Sequence, residues 1–151
     1  MRPASLCEVV ERARVDGDWD HHLQNFLDAF YALDGEGAMI AEDPGFLGDA
    51  RPDAFLGGVG EHLARRWRLP FIPAWVRHEA RYLDTVLFVP DERNLRTYLL
   101  CVSPVSFRPR LIFTGPDPLQ RARFPYHRGV VRMPLTFPQG PAAAALFDPE
   151  R

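Results

Sequence analysis

Arg51-Pro52-Asp53-Ala54-Phe55-Leu56-Gly57-Gly58-Val59-Gly60-Glu61-His62-Leu63-Ala64-Arg65-Arg66-Trp67-Arg68 is the stretch whose reading decides the fold. Proline suits the first turn of a helix, where its missing N–H forfeits nothing. Leu56, Val59, Leu63 and Trp67 follow on one face, so the spacing predicts a helix running to about Arg68, flanked by Phe55 and His62. Gly57, Gly58 and Gly60 oppose this pattern, since each costs about 1 kcal/mol relative to alanine in a helix interior. Either the helix frays in its first turns or the glycines let another segment approach closely. Glycine inside a helix usually has such a packing reason, and that reading is preferred.

The flanking sequence supplies elements for this helix to pack on. Upstream, Ser5-Leu6-Cys7-Glu8 is a capping box followed by the stripe Leu6, Val9, Val10 and Ala13, with a stop at Gly17. A second helix begins near Asp18, carries Trp19, Leu23, Phe26, Leu27, Phe30 and Leu33 on one face, and ends at Asp34-Gly35. The two form an antiparallel hairpin. A short helix fits around Ala38–Ala41, before Asp43-Pro44-Gly45.

Downstream, Leu69-Pro70 and Ile72-Pro73 force extended chain, and Ala74-Trp75-Val76 pins it to the core. A helical turn fits around His78–Leu83, and Thr85–Val89 reads as a strand or a buried loop. Asp91–Val102 reads as a fourth major helix with the stripe Leu95, Tyr98, Leu99 and Val102. Ser103-Pro104 caps a short helix to about Phe107, and Leu111–Thr114 is the best strand candidate. The fold class is therefore mainly α: a small helical bundle with an N-terminal hairpin, room for one short β-hairpin, and an irregular Pro-rich C-terminal tail. Residues 1–123 are read as a single helical domain. Residues 124–151 are read as a tail that wraps it or is partly disordered, with Val130–Met133 a candidate partner for Leu111–Thr114.

Composition narrows the function. The 151 residues are 46% apolar, ordinary for a globular domain. No apolar run reaches the roughly 20 residues of a membrane helix, and the N-terminus lacks a signal-peptide core, so a cytoplasmic protein without membrane contact is expected. Cys7 and Cys101 are far apart and fit a reducing compartment. All 18 basic residues are arginine, which we read as codon bias of a GC-rich genome. The absence of lysine excludes a Walker lysine, a Schiff-base lysine and a Ser-Lys pair. The net charge of −2 is a cancellation. Residues 1–60 hold 4 Arg against 12 acids, and residues 61–151 hold 14 Arg against 8 acids.

No constellation declares a catalytic chemistry. Asp16, Asp18, Asp20, His21 and His22 suggest a metal cluster, but adjacent helical residues point about 100° apart and no third ligand is in place. Glu61-His62 and His78-Glu79 do not form an HExxH pattern, and His62 is expected to border the core. Ser103 has no glycine elbow around it and reads as a helix cap. Arg108 and Arg110 are candidates to clamp a phosphate or carboxylate, or else to cover helix C-termini or pair with hairpin acids. Arg65, Arg66 and Arg68 surround Trp67, a nucleic-acid-like mixture, yet Trp67 falls on the apolar stripe and the acidic first third opposes direct nucleic-acid contact. No cofactor and no metal site is expected.

Several separated blocks together resemble a known group. They are Asp53-Ala54-Phe55-Leu56, Glu61-His62-Leu63-Ala64, Leu69-Pro70, Pro73-Ala74-Trp75-Val76, Arg81-Tyr82-Leu83, Ser103-Pro104-Val105-Ser106-Phe107-Arg108 and Arg110-Leu111-Ile112-Phe113. The combination resembles a family of small uncharacterised bacterial proteins whose block also occurs behind XRE-type helix-turn-helix domains. Members of that family sit as antitoxin-like neighbours of nucleotidyltransferase-type toxins. The resemblance spans about residues 20–122, implies no catalytic residue, and finds no DNA-reading helix-turn-helix before residue 53. The leading expectation is a non-enzymatic protein-binding domain, the antitoxin of a toxin–antitoxin or phage-defence pair. Its partner would be a cognate toxin met by Asp16, Asp18, Asp20, Asp28, Asp34 and Glu36. The alternatives are a small hydrolase or transferase using His62 or His78 with Arg108 and Arg110, and a DNA-binding regulator. The charge split has its own alternative, internal neutralisation of one half by the other.

Overall fold

The computed structural model describes residues 1–121. Its first elements are α1 (Leu6–Asp16) and α2 (Trp19–Ala32), the expected antiparallel hairpin. Ser5 caps α1 by accepting the Glu8 N–H at 3.2 Å, while the Glu8 carboxylate accepts the Ala4 N–H at 2.8 Å. The serine half is that of a capping box, while the glutamate takes the Ala4 amide in place of the Ser5 amide. Gly17 ends α1 in the left-handed region at φ 75°, where a side chain would be strained. Asp18 caps α2 through its carboxylate and the His21 N–H. Leu6, Val9 and Val10 face Leu23, Phe26, Leu27 and Phe30 in the core.

After the short helix α3 (Ala38–Ala41) comes α4 (Ala50–Arg66), capped by Asp49 and almost wholly buried from Pro52 to Ala64. The three glycines do not fray it. A Cβ at Gly58 would lie 2.5 Å from the Phe107 ring. One at Gly60 would lie 2.6 Å from Trp75, and one at Gly57 2.8 Å from the Arg81 Cβ. The glycine face is a groove that receives bulky side chains of later segments, so its helix-propensity cost is offset by burial.

Those segments are irregular. Residues Ala74–Arg77 and Glu79–Arg81 are 3₁₀ turns laid along α4. Trp75 is buried and its Nε1 donates to Ile40 O at 2.9 Å, which pins the connector as expected. Strand β1 (Leu87–Val89) then pairs with strand β2 (Ile112–Thr114) in parallel register, Leu87 with Ile112 and Val89 with Thr114. The β pair among the described residues is thus parallel, where the sequence reading left room for a hairpin. The chain between the strands crosses over through a 3₁₀ turn (Arg93–Leu95) and α5 (Arg96–Val102), because parallel strands cannot be joined by a tight turn.

The α5 region corrects the expectation of a long helix over Asp91–Val102. Of the stripe assigned to it, only Leu99 is buried, and Tyr98 is half exposed. Seven residues make about two turns, which seat one large side chain on β2. The short helix expected after Ser103 is a turn closed by Phe107 N–H to Pro104 O, followed by a 3₁₀ turn at Arg108–Arg110. The reading of residues 124–151, including Val130–Met133, lies outside the described residues. The described chain closes on α2, where the Tyr31 hydroxyl donates to Leu119 O at 2.6 Å.

Candidate functional site

The acids singled out from the sequence fall along the α1–α2 hairpin and its exit. Asp16 accepts the Asp18 N–H at 2.9 Å and sits 2.6 Å from His22 Nε2. The Asp18 amide, then the His22 ring, hold its carboxyl below the usual carboxylate range. Asp18 is the α2 cap, and Asp20 accepts from Gln24 Nε2 at 2.8 Å. Asp34, at φ 57°, and Glu36 follow α2. All five are exposed. Asp28 differs: its two oxygens take Arg121 Nε and Nη2, each at 3.0 Å, so part of the charge split is neutralised internally. Asp43 does the same with Arg81 at 3.4 Å.

The two arginines proposed as an anion clamp do not form one. Arg110 is fully buried, and Nη1 and Nη2 donate to Ser106 O, Glu61 Oε1 and Val76 O. Its guanidinium also stacks 4.6 Å from the Tyr82 ring. Arg108 turns instead to Ser103 O and Cys101 O, the carbonyls at the end of α5. Covering helix C-terminal carbonyls suits a cation, so the structural alternative describes Arg108.

His62 and His78 are not brought to a common pocket with them. His62 is buried with its ring 5.7 Å from Phe107. Burial, reinforced by the Arg66 charge, depresses its pKa from 6.5 to about 4. It is therefore a neutral core imidazole at pH 7. His78 is exposed and its Nδ1 accepts the Ala80 N–H at 3.0 Å, capping a 3₁₀ turn. Ser103 is buried, its Oγ accepting the Thr114 N–H at 2.8 Å and donating to Leu99 O. That hydroxyl joins α5 to β2 and is not presented to solvent. No group of three metal-ligating side chains occurs among the described residues, and no helix among them is long and apolar enough to cross a membrane.

The sequence reading missed the polar seam beside the glycine face. Asp53, Gly57 and Glu61 are spaced four apart, so they line one side of α4. Asp53 is buried and accepts the Leu47 and Gly48 N–H groups at 2.7 and 3.1 Å, which fixes the loop before the helix. Arg81 is fully buried over the Phe46 ring at 4.2 Å and donates to Asp53 O and Gly45 O. Burial pulls its pKa down, with Asp43 and Asp53 opposing. Glu61 divides its oxygens between Arg110 and Arg65. Two buried cations thus flank Gly57: Arg110 pairs with the buried Glu61 carboxylate, and Arg81 pairs with the exposed Asp43 carboxylate while donating to main-chain carbonyls. Two shallow depressions are lined by Asp43, Trp75 and His78, and by Phe46, Tyr82 and Asp84. Neither gathers His62, Arg108 or Arg110.

Most charged residues in the blocks that carry the family resemblance (Asp53, Glu61, Arg81 and Arg110) are interior. They build the fold and leave the exposed hairpin acids as the candidate surface for a partner. Compared with known proteins, the chain matches no family model, no curated protein and no solved structure.

Proposed function

We propose that this chain is a cytoplasmic, non-enzymatic protein-binding domain, the antitoxin that neutralises a cognate toxin of nucleotidyltransferase type. The observation that carries the reading is the exposed acidic rim of the hairpin: Asp16, Asp18, Asp20, Asp34 and Glu36 stay at the surface while the arginine-rich remainder spends Arg81 and Arg110 inside. Enzymes acting on RNA or nucleotides present basic clefts. An acidic rim complements such a cleft and speeds the encounter. The test is co-expression with the product of the neighbouring gene, followed by size-exclusion chromatography and a growth assay. Co-elution and rescue are expected. Asp20→Arg with Glu36→Arg, neither a helix cap, is expected to weaken co-elution at least tenfold, more at low salt than at high salt. If the neighbouring product neither co-elutes nor is neutralised, the reading fails.

A further inference from the structure

The two strands differ in what lies along their outer edges. On β2 the outer edge is occupied: the Ile112 N–H donates to Phe107 O at 3.1 Å and the Thr114 N–H donates to Ser103 Oγ at 2.8 Å. On β1 it is open among the described residues. The Leu87 N–H donates to Leu111 O at 2.8 Å, so Leu87 and, two residues on, Val89 turn their main chain toward β2. Alternate residues of a parallel ladder face opposite sides. The Phe88 N–H and C=O therefore face outward, and no described residue takes them. Val86 and Val89 beside them are 52% and 40% exposed. A donor and an acceptor pointing one way from an extended strand, between exposed β-branched side chains, are a template for another strand. The sheet itself is minimal, two strands of three residues each, and gains from a third.

We infer that this edge binds an extended, arginine-flanked segment of a partner protein, which adds a third strand beside β1. The inference rests on the protein-binding reading above and is independent of the partner's being a toxin. Main-chain hydrogen bonds call for a strand, and charge selects which strand. Residues 84–93 hold three acids against one arginine. Asp91 is tied to Arg96 at 2.9 Å, while Asp84 and Glu92, one beyond each end of β1, make no ion pair among the described residues. A guest with a β-branched core and a basic residue at each end sets opposite charge near both, and such cross-strand pairs attract. Arginine suits the ends because its planar fork matches a carboxylate. A second copy fits worse. Symmetric pairing of two β1 strands is antiparallel, and about Phe88 it sets Asp84 of each against Glu92 of the other, a like-charge pair repeated twice.

The test is an NMR titration of the isotope-labelled full chain with the peptide acetyl-Arg-Thr-Val-Thr-Val-Arg-amide. In the free chain the Phe88 amide is expected to exchange with solvent within tenfold of the rate of an unstructured peptide. On titration the largest shifts are expected from Val86 to Val89, saturating at millimolar peptide, while the amides of α1 and α2 stay in place. The same peptide with glutamate for both arginines is expected to bind at least tenfold more weakly. N-methylation separates strand addition from simple charge attraction. Alternate residues of the guest face the ladder, so methylating the main-chain nitrogens of its two valines, or of its two threonines, is expected to abolish binding in one case and spare it in the other. A Phe88 amide already protected in the free chain overturns the inference, and protection that rises with protein concentration assigns the edge to a second copy. Shifts centred on the hairpin acids, or equal binding by both methylated peptides, overturn it too. A neighbouring-gene product that fails to co-elute counts against the toxin alone, since the peptide judges the edge without it.

Discussion

Acidification from pH 7.5 to 4.5 is expected to cost this protein between about 2 and 3 kcal/mol through His62 alone. The perturbation acts on one imidazole, buried against Phe107 and repelled by Arg66 when charged. In the unfolded chain it takes up its proton around pH 6.5, in the folded protein around pH 4. Between those values the unfolded state holds more protons, so each step toward acid favours unfolding. The stability is fully present above pH 6.5 and falls as the pH drops below it. The loss reaches about 1 kcal/mol at pH 5.5 and levels off near 3 kcal/mol below pH 4, where both states are protonated. The assay is urea unfolding, followed by tryptophan fluorescence, at pH 7.5, 6.5, 5.5 and 4.5. It is run on the natural chain and on His62→Leu, which keeps an apolar group of similar bulk. Carboxylates titrate in both proteins, so the difference between the two pH profiles isolates the imidazole. Equal losses in the two proteins between pH 7.5 and 4.5 would refute the assignment of His62 as a neutral core residue.

Gly58→Ala gains about 1 kcal/mol of helix propensity but drives a methyl group into the Phe107 ring, 2.5 Å away. A net loss of about 1 kcal/mol in thermal or urea unfolding is expected, and stabilisation would show the groove to be slack. Arg110→Met removes a buried cation and leaves Glu61 with only Arg65, so denaturant unfolding should report a loss of about 3 kcal/mol. Asp28→Ala opens a partly exposed bidentate pair with Arg121, for which chemical denaturation should show about 1 kcal/mol or less, shrinking with salt.

Legibility followed the range of the interactions concerned. The hairpin could be read because its signals are local: Ser5 with Glu8, Asp18 with His21, and a stripe of period 3.6. The buried course of α4 was legible for the same reason, and the glycines pointed to close packing without saying what packs there. Arg81 and Arg110 were hidden because arginine is among the residues least often buried, and their partners are carbonyls and carboxylates dozens of residues away. The spacing Asp53-x3-Gly57-x3-Glu61, two acids on the buried side of a helix, was the one available signal of buried cations. The parallel strands escaped because three-residue strands carry almost no period, and their pairing depends on a crossover rather than a turn. Among the candidate site residues, the exposure of Asp20 was readable from its place on the polar face of α2. The partnering of Asp28 with Arg121 was not.

The bond from Tyr31 to Leu119 joins residues 88 apart, and Asp28 to Arg121 spans 93. A ribosome delivers α2 long before it delivers the groups that close over it. Until the chain has emerged past Arg121, neither of these two seams along α2 can close, a nascent state open to chaperones or to early contact with a partner. The same separation sets the pace of refolding. Helix-rich domains whose contacts are local fold fastest. This one should be slower than its helix content suggests, because its last seams wait on loop closure across most of its length.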